Sequence, residues 1–319
     1  ARRLLGDLTP SGKRSLLLVL LCLVFSLVAA YWPDYEGLSD SGVTALFILV
    51  LCAGLWMTEA MPAFAVSLLA IGLEIALLGN ATSADPDWEK YVATWGSPLI
   101  WLFFGGFILA AAAKKTGLDQ WMAFQVLQRL GSKPAIVLLG IMTATAVLSM
   151  FLSNTATTAL MVAVLGPVIA TQENGEKFGR GMLLGVAVAA NVGGMGTIIG
   201  TPPNAIAVGT LSGVVDINFI RWMGYGIPPA LVLLTILWGV LVARYLGRGA
   251  FRSSMSIKID SGLQQESSSL DLALVVATFF VTVLMWMASP LHGIPTTVIS
   301  FIPICVLTAT GVLDAQDVR

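Results

Sequence analysis

Charge is what this chain has least of. Asp, Glu, Lys and Arg make up 11% of its 319 residues, and 57% are hydrophobic; a soluble domain carries roughly 25% charged residues. Mean hydropathy is +0.87. That balance excludes a water-soluble globular fold. The strands of a membrane barrel alternate apolar and polar residues, and these runs do not. Histidine is scarcer still: His292, the only one, sits in a Ser-Pro-Leu-His-Gly-Ile-Pro stretch and reads as a solvated loop residue. Cys22, Cys52 and Cys305 fall within apolar runs without paired spacing, so they read as buried inert thiols. No metal cluster and no nucleophile–base set is visible, which argues against an enzyme. The formal net charge of −1 says nothing about partners. The partner demanded by composition is the lipid bilayer, and no nucleic acid is expected.

What the chain has in abundance is long apolar segments. A span needs about 20 apolar residues, and candidates run over 15–32, 44–60, 63–79, 98–113, 181–213, 223–246, 270–288 and 296–313. The expected class is therefore an all-α polytopic membrane protein. The basic N-terminus precedes a long apolar run without a small-residue cleavage site, so it reads as a first span and not a removed signal peptide. The shorter segment 116–132 is amphipathic and is expected to lie along the membrane surface. Basic residues mark the cytoplasmic side. With the N-terminus cytoplasmic, 15 of the 17 Lys and Arg fall inside, and only Lys90 and Arg221 fall outside.

The same bias governs 134–171. Lys133 and Arg180 both belong inside, so this segment is expected to enter from the cytoplasm and return as a re-entrant hairpin. Its tip is the polar tripeptide Ser153-Asn154-Thr155, set between two apolar arms. Polar groups at that depth cannot face lipid; they face protein or a wet cavity. Two short spans with a polar turn outside are the alternative, which would invert every later loop.

A second interruption falls inside 181–213, at Gly193-Gly194-Met195-Gly196-Thr197-Ile198-Ile199-Gly200-Thr201-Pro202-Pro203-Asn204. Pro202 and Pro203 lack N–H groups and restrict the residue before each, so the helix is expected to fail at about 200–203. Carbonyls near Ile198 to Gly200 would then suit a hard cation, and the next helix start, like that at Thr155, Ala156 and Thr157, would suit a carboxylate. A simple packing kink is the alternative. No Arg or Lys lies near either break, which favours an anion bound together with sodium. Glu59 and Glu74 are the intramembrane acids, each a weaker candidate for a transport role.

Segment 248–269 is the only long polar connector. After it, Met285-Trp286-Met287 with Pro295 echoes Leu55-Trp56-Met57 with Pro62. Between 44 and 247 lie five crossings and the hairpin, so a second copy starting near 270 would insert upside down. Inverted repeats with broken helices are a transporter architecture. The expected organisation is an N-terminal segment and first span (1–43), a first inverted repeat (44–247), the linker 248–269 and the start of a second repeat (270–319). Within the first repeat, spans 44–113 are scaffold, 116–132 the interfacial helix, 134–171 the hairpin and 181–246 transport-domain helices.

At these residues the chain resembles the divalent anion/sodium symporter family of sodium-coupled di- and tricarboxylate transporters. The likeness rests on Ser153-Asn154-Thr155, on Gly200-Thr201-Pro202-Pro203-Asn204, on Trp56 with Glu59-Ala60-Met61-Pro62, and on residues 97–118. The resemblance implies a homodimeric elevator-type transporter that couples Na+ to uptake of a succinate-, malate-, fumarate- or citrate-like substrate. Carried over, it implies a sodium site at Ser149, Ser153, Asn154 and Gly200. It implies carboxylate contacts at Asn154, Thr155, Thr201 and Pro202. The family's second Ser-Asn-Thr hairpin is not within 1–319, so the chain is expected to hold half a site and not to transport alone. Other readings are a sodium-independent exchanger of the same family, a carrier of sulfate, arsenite or another oxyanion, and an ion channel.

Overall fold

A computed structural model describes residues 10–79, 87–128, 132–170, 175–211, 214–251 and 268–317. Among these residues there are only helices, turns and connecting segments, as composition requires. Among the described residues, five helices are long and apolar enough to cross a membrane: Gly12–Tyr31, Asp40–Met57, Glu89–Thr116, Phe219–Leu246 and Ser269–Met287. Most of the polar connector, 252–267, lies outside the described residues.

The chain divides into two compact units, Ala1–Ser97 and Pro98–Arg319. The first contains α1 (Pro10–Tyr31), α2 (Asp40–Met57) and α3 (Ala63–Leu78). Ser39 caps α2 by accepting from the Gly42 N–H, with Asp40 in the first turn where the helix dipole favours an acid. Phe47, Ile48, Leu51 and Leu55 of α2 bury against Cys22 and Ala30 of α1 and Val66 of α3. Glu59, just after α2, sits at φ +52°, in the left-handed region that glycine ordinarily fills. Of the three thiols expected to be buried, only Cys22 is; Cys52 is half-buried and Cys305 exposed. Both lie on apolar helices, where periodicity does not say which face a small residue takes.

The second unit carries the breaks. Its helices are α4 (Pro98–Thr116), α5 (Leu118–Gln128), α6 (Pro134–Ser149), α7 (Asn154–Ala170), α8 (Gly175–Gly194), α9 (Pro202–Leu211), α10 (Phe219–Leu241), α11 (Ser269–Met287) and α12 (Phe301–Ala309). The segment expected along the membrane surface is a separate helix, turned off α4 at Gly117, whose φ is +69°. It is tucked in more than its amphipathic pattern implied: Leu118, Asp119 and Ala123 are buried, and it packs on α6 and α7. Burial raises the Asp119 carboxyl above the usual range, opposed by the Gln120 N–H at 2.7 Å. His292 does more than face solvent. Its Nδ1 accepts from the Ile294 N–H and its Nε2 donates to the Met285 carbonyl, both at 3.0 Å, tying the loop after α11 back to that helix.

At the centre, α8 packs on α6, α7 and α10. Gly185 and Gly193 let α6 lie against it at backbone distance. A Cβ on Gly185 would stand 2.7 Å from Leu138 Cδ1, and one on Gly193 would fall within the Ala146 backbone. Small residues at such crossings are how membrane helices gain contact without a hydrophobic drive. Around that seam Leu138, Ile141, Met142, Met161, Met182, Val186 and Ala189 are fully buried. Trp238 donates to the Ala135 carbonyl at 2.9 Å, fixing the start of α6. Trp286, buried and stacked on Phe219 at 5.4 Å, donates to the Thr296 carbonyl at 3.0 Å. Trp56, its counterpart in the sequence echo, is exposed.

Gly193→Ala is expected to lower stability by about 1–3 kcal/mol or more, because a backbone neighbour cannot move aside as a side chain can. Gly239→Ala meets nothing within 4 Å and should be neutral or stabilising. Thermal melting of the two variants in detergent checks the contrast.

Candidate functional site

The site grows from the two helix interruptions. In the first, α6 ends at Ser149 and α7 begins at Asn154, so the turn is 150–153 and the expected tripeptide spans its last residue and the start of α7. Ser153 caps α7: its Oγ accepts from the Ala156 N–H at 3.2 Å and its carbonyl from the Thr157 N–H at 2.9 Å. The expectation of free N–H groups at Thr155, Ala156 and Thr157 is therefore corrected. Ala156 and Thr157 are spent on the cap. Among the described residues it is Asn154 and Thr155, the first two positions of α7, whose N–H groups have no protein acceptor.

In the second interruption, α8 stops at Gly194 and α9 starts at Pro202. The helix was expected to fail at about 200–203; it fails at Met195, and Pro202 and Pro203 open the next helix. The physical reason is the asymmetry of helix ends. Proline is favoured in a first turn, where its N–H is not needed, whereas Gly193, Gly194 and Gly196 weaken the end of α8. Two carbonyls ahead of the expected Ile198 to Gly200 stretch do not stay bare. Asn204 Nδ2 donates to the Gly194 and Thr197 carbonyls at 2.8 and 2.7 Å, taking the place of the lost backbone ladder. Thr197 Oγ1 accepts from the Gly200 N–H at 3.0 Å and donates to the Met150 carbonyl. One buried hydroxyl thus latches the loop to the hairpin turn. Trp222 donates to the Met195 carbonyl at 3.1 Å, holding the loop from α10.

The breaks meet at Ser149, Asn154, Gly194 and Gly200. Ser149 Oγ, fully buried, stands 2.7 Å from Asn154 Oδ1 and 2.7 Å from the Ala190 carbonyl. The hydroxyl has one proton for these two acceptors. A Cβ on Gly194 would lie 2.7 Å from Asn154 Oδ1 and 3.2 Å from the Gly200 carbonyl oxygen, so glycine there lets those oxygens draw near. Asn154 Nδ2 donates to Asn191 Oδ1 at 3.2 Å. Of the expected sodium ligands, Ser149, Asn154 and Gly200 come together. Ser153 is adjacent, with its hydroxyl engaged in the cap.

In front of this cluster lies a cavity of about 250 Å3. Its polar wall is Ser153, Asn154 and Thr155 with Gly200, Thr201 and Pro202, so every expected carboxylate contact lines it. The rest of the lining was not foreseen: Phe103, Gly106, Phe107 and Ala110 of α4, with Phe151, Leu152 and Ile199. Phe103 and Phe107 stack at 5.9 Å. The signal was present as Gly106 and Ala110 at helical spacing beside two phenylalanines, a small groove on an aromatic face. No charged side chain lines the cavity.

If Asn204 closes the loop, Asn204→Ala leaves two buried carbonyls unpaired and should cost about 2–4 kcal/mol. Asn204→Asp retains the size but offers no donor, and should fare no better. Melting temperature, read beside the Gly239→Ala control, measures both.

Residues 13–319 match the family model described as the sodium:sulfate symporter transmembrane region. A sodium-dependent dicarboxylate transporter of Staphylococcus saprophyticus is 36% identical over 262 residues, covering 78% of this chain and 47% of that protein. A transporter of the same description from Staphylococcus aureus is 36% identical over 250 residues, 75% of this chain and 46% of that protein. The chain spans about half the length of these curated relatives. Its apolar helices, paired breaks and sequence match together make it an integral multi-pass membrane protein that belongs to the sodium:sulfate symporter family.

Proposed function

We propose that this chain forms one side of the binding site of a secondary active transporter that couples Na+ to import of a dicarboxylate. The observation that carries the reading is the cluster of Ser149 Oγ, Asn154 Oδ1 and the Ala190 carbonyl, held at 2.7 Å with a single hydroxyl proton among them. Whichever acceptor that proton does not reach is an oxygen that a hard cation suits. Immediately beside it, Asn154 and Thr155 present helix N-terminal N–H groups to a cavity, a setting suited to a carboxylate. A cation and an anion side by side, with no fixed positive charge, make each the other's counterion. The aromatic wall of Phe103 and Phe107 favours a substrate with a carbon skeleton over a bare oxyanion such as sulfate. The relatives' description as sodium-dependent dicarboxylate transporters points the same way.

Extended further, the reading covers tricarboxylates, an elevator movement and a homodimer in the plasma membrane with a cytoplasmic N-terminus. Segment 44–247 is then the first inverted repeat, with 44–113 on the scaffold side and the hairpin 134–171 and helices 181–246 on the moving side. Residues 270–319 begin the second repeat. Na+ is co-transported cargo, bound by Ser149, Ser153, Asn154 and Gly200. The substrate meets Asn154, Thr155, Thr201 and Pro202.

Uptake of labelled succinate by cells expressing the complete gene product is expected to need an inward sodium gradient. Equal uptake in choline medium, driven by internal dicarboxylate, would replace symport by exchange. Asn154→Ala and Thr155→Ala should each reduce sodium-driven uptake at least a hundredfold, with surface expression and oligomeric state unchanged. Normal uptake by both would refute the site.

A further inference from the structure

Asn154 serves the cation and the carboxylate in the reading above, and the groups around its amide can be satisfied in two ways. In the arrangement described, Oδ1 faces buried Ser149 and Nδ2 donates outward to the exposed Asn191. Ser149 can give its proton to Asn154 Oδ1 or to the Ala190 carbonyl, not both. Whichever it chooses, one pair of oxygens stays at 2.7 Å with no hydrogen between them. That contact is repulsive unless a cation is shared. Turning both amides by 180° removes the conflict. Asn191 then donates to Asn154 Oδ1, Asn154 Nδ2 donates to Ser149 Oγ, and Ser149 donates to the Ala190 carbonyl. Amide nitrogen and oxygen are nearly the same size, so this exchange needs no movement of α7 or α8.

We propose that Asn154 and Asn191 form a coupled amide switch that reports sodium occupancy to the carboxylate site. The inference rests on the proposed function. Sodium at Ser149 holds Asn154 Oδ1 inward. Nδ2 is then outward, with one N–H on Asn191 and the other free for a substrate carboxylate. Without sodium the fully satisfied, reversed arrangement prevails, and Asn154 turns an oxygen outward that repels a carboxylate. Asn191 is a positioning residue in this scheme. It accepts in one state and donates in the other and so favours neither, whereas a carboxylate in its place would favour the first.

The test is the linkage between the two ligands, measured on the purified full-length protein. Succinate affinity is titrated at saturating sodium and in choline, and the ratio of the two is the coupling factor; linkage requires succinate to tighten sodium binding by the same factor. Asn191→Leu removes one hydrogen bond from both arrangements equally and should leave the factor within about twofold of wild type. Asn191→Asp can only accept, so it locks the sodium-bearing orientation. The factor should fall at least about fivefold, the worth of one hydrogen bond. The added negative charge by itself shifts succinate affinity in both media alike and leaves the ratio intact. Melting curves verify that both variants fold. An Asn191→Asp coupling factor equal to wild type overturns the switch while leaving sodium-coupled binding in place. A wild-type factor of one overturns the transport reading beneath it.

Discussion

The contact on which the rest of this site depends is the approach of Gly193 to the Ala146 backbone. Helix α8 can lie against α6 at that distance only because position 193 has no side chain. The approach sets the end of α8 beside the end of α6. Each end leaves backbone groups without helical partners. Kept apart, two such ends would be two separate costs in a hydrocarbon environment. Set together, they satisfy much of each other: Thr197 reaches the Met150 carbonyl, Ser149 reaches the Ala190 carbonyl, and Asn204 closes the loop within its own strand of chain. What remains unsatisfied here, among the described residues, includes oxygens around Ser149, the buried Thr157 hydroxyl and N–H groups at Asn154 and Thr155.

That residue of unmet hydrogen bonding is the chemistry of the site. The oxygens sit behind the cavity and the N–H groups at its wall, so opposite preferences are separated by the length of one asparagine side chain. Asn154 belongs to both. It needs no ionisable partner, and none lines the cavity. A site built from dipoles and not from fixed charges can release its ligands without leaving a buried ion behind, whose desolvation would cost several kcal/mol. Such a site is consistent with a carrier, which must bind and let go on both sides of a membrane.

Much of this was legible before the fold was known, because its causes are local. The two interruptions follow from the polar Ser153-Asn154-Thr155 and from the Gly/Pro run ending at Pro202-Pro203, and hydropathy marks the long spans. The miss at the second break was also local in kind. The two prolines read as breakers and Gly200 as permissive, whereas the glycines end α8 and the prolines start α9. The aromatic wall on α4 was missed for a different reason. Phe103 and Phe107 look like any lipid-facing pair until the partner of that helix face is known, and Asn191 looks like one more polar residue near a glycine run. The cysteines and Trp56 make the same point in reverse, since an apolar run does not say which of its residues is covered.

The sequence by itself determined the membrane class and the two interruptions, since hydropathy, backbone hydrogen bonding and proline geometry act within a few residues. Only the tertiary structure decided that the interruptions share one site, that Ser149 has two acceptors for one proton, and that an aromatic face closes the cavity. Those facts depend on the distance between α6 and α8 and on which face α4 presents. Such distances follow from side-chain packing between segments tens of residues apart, and no local pattern records them.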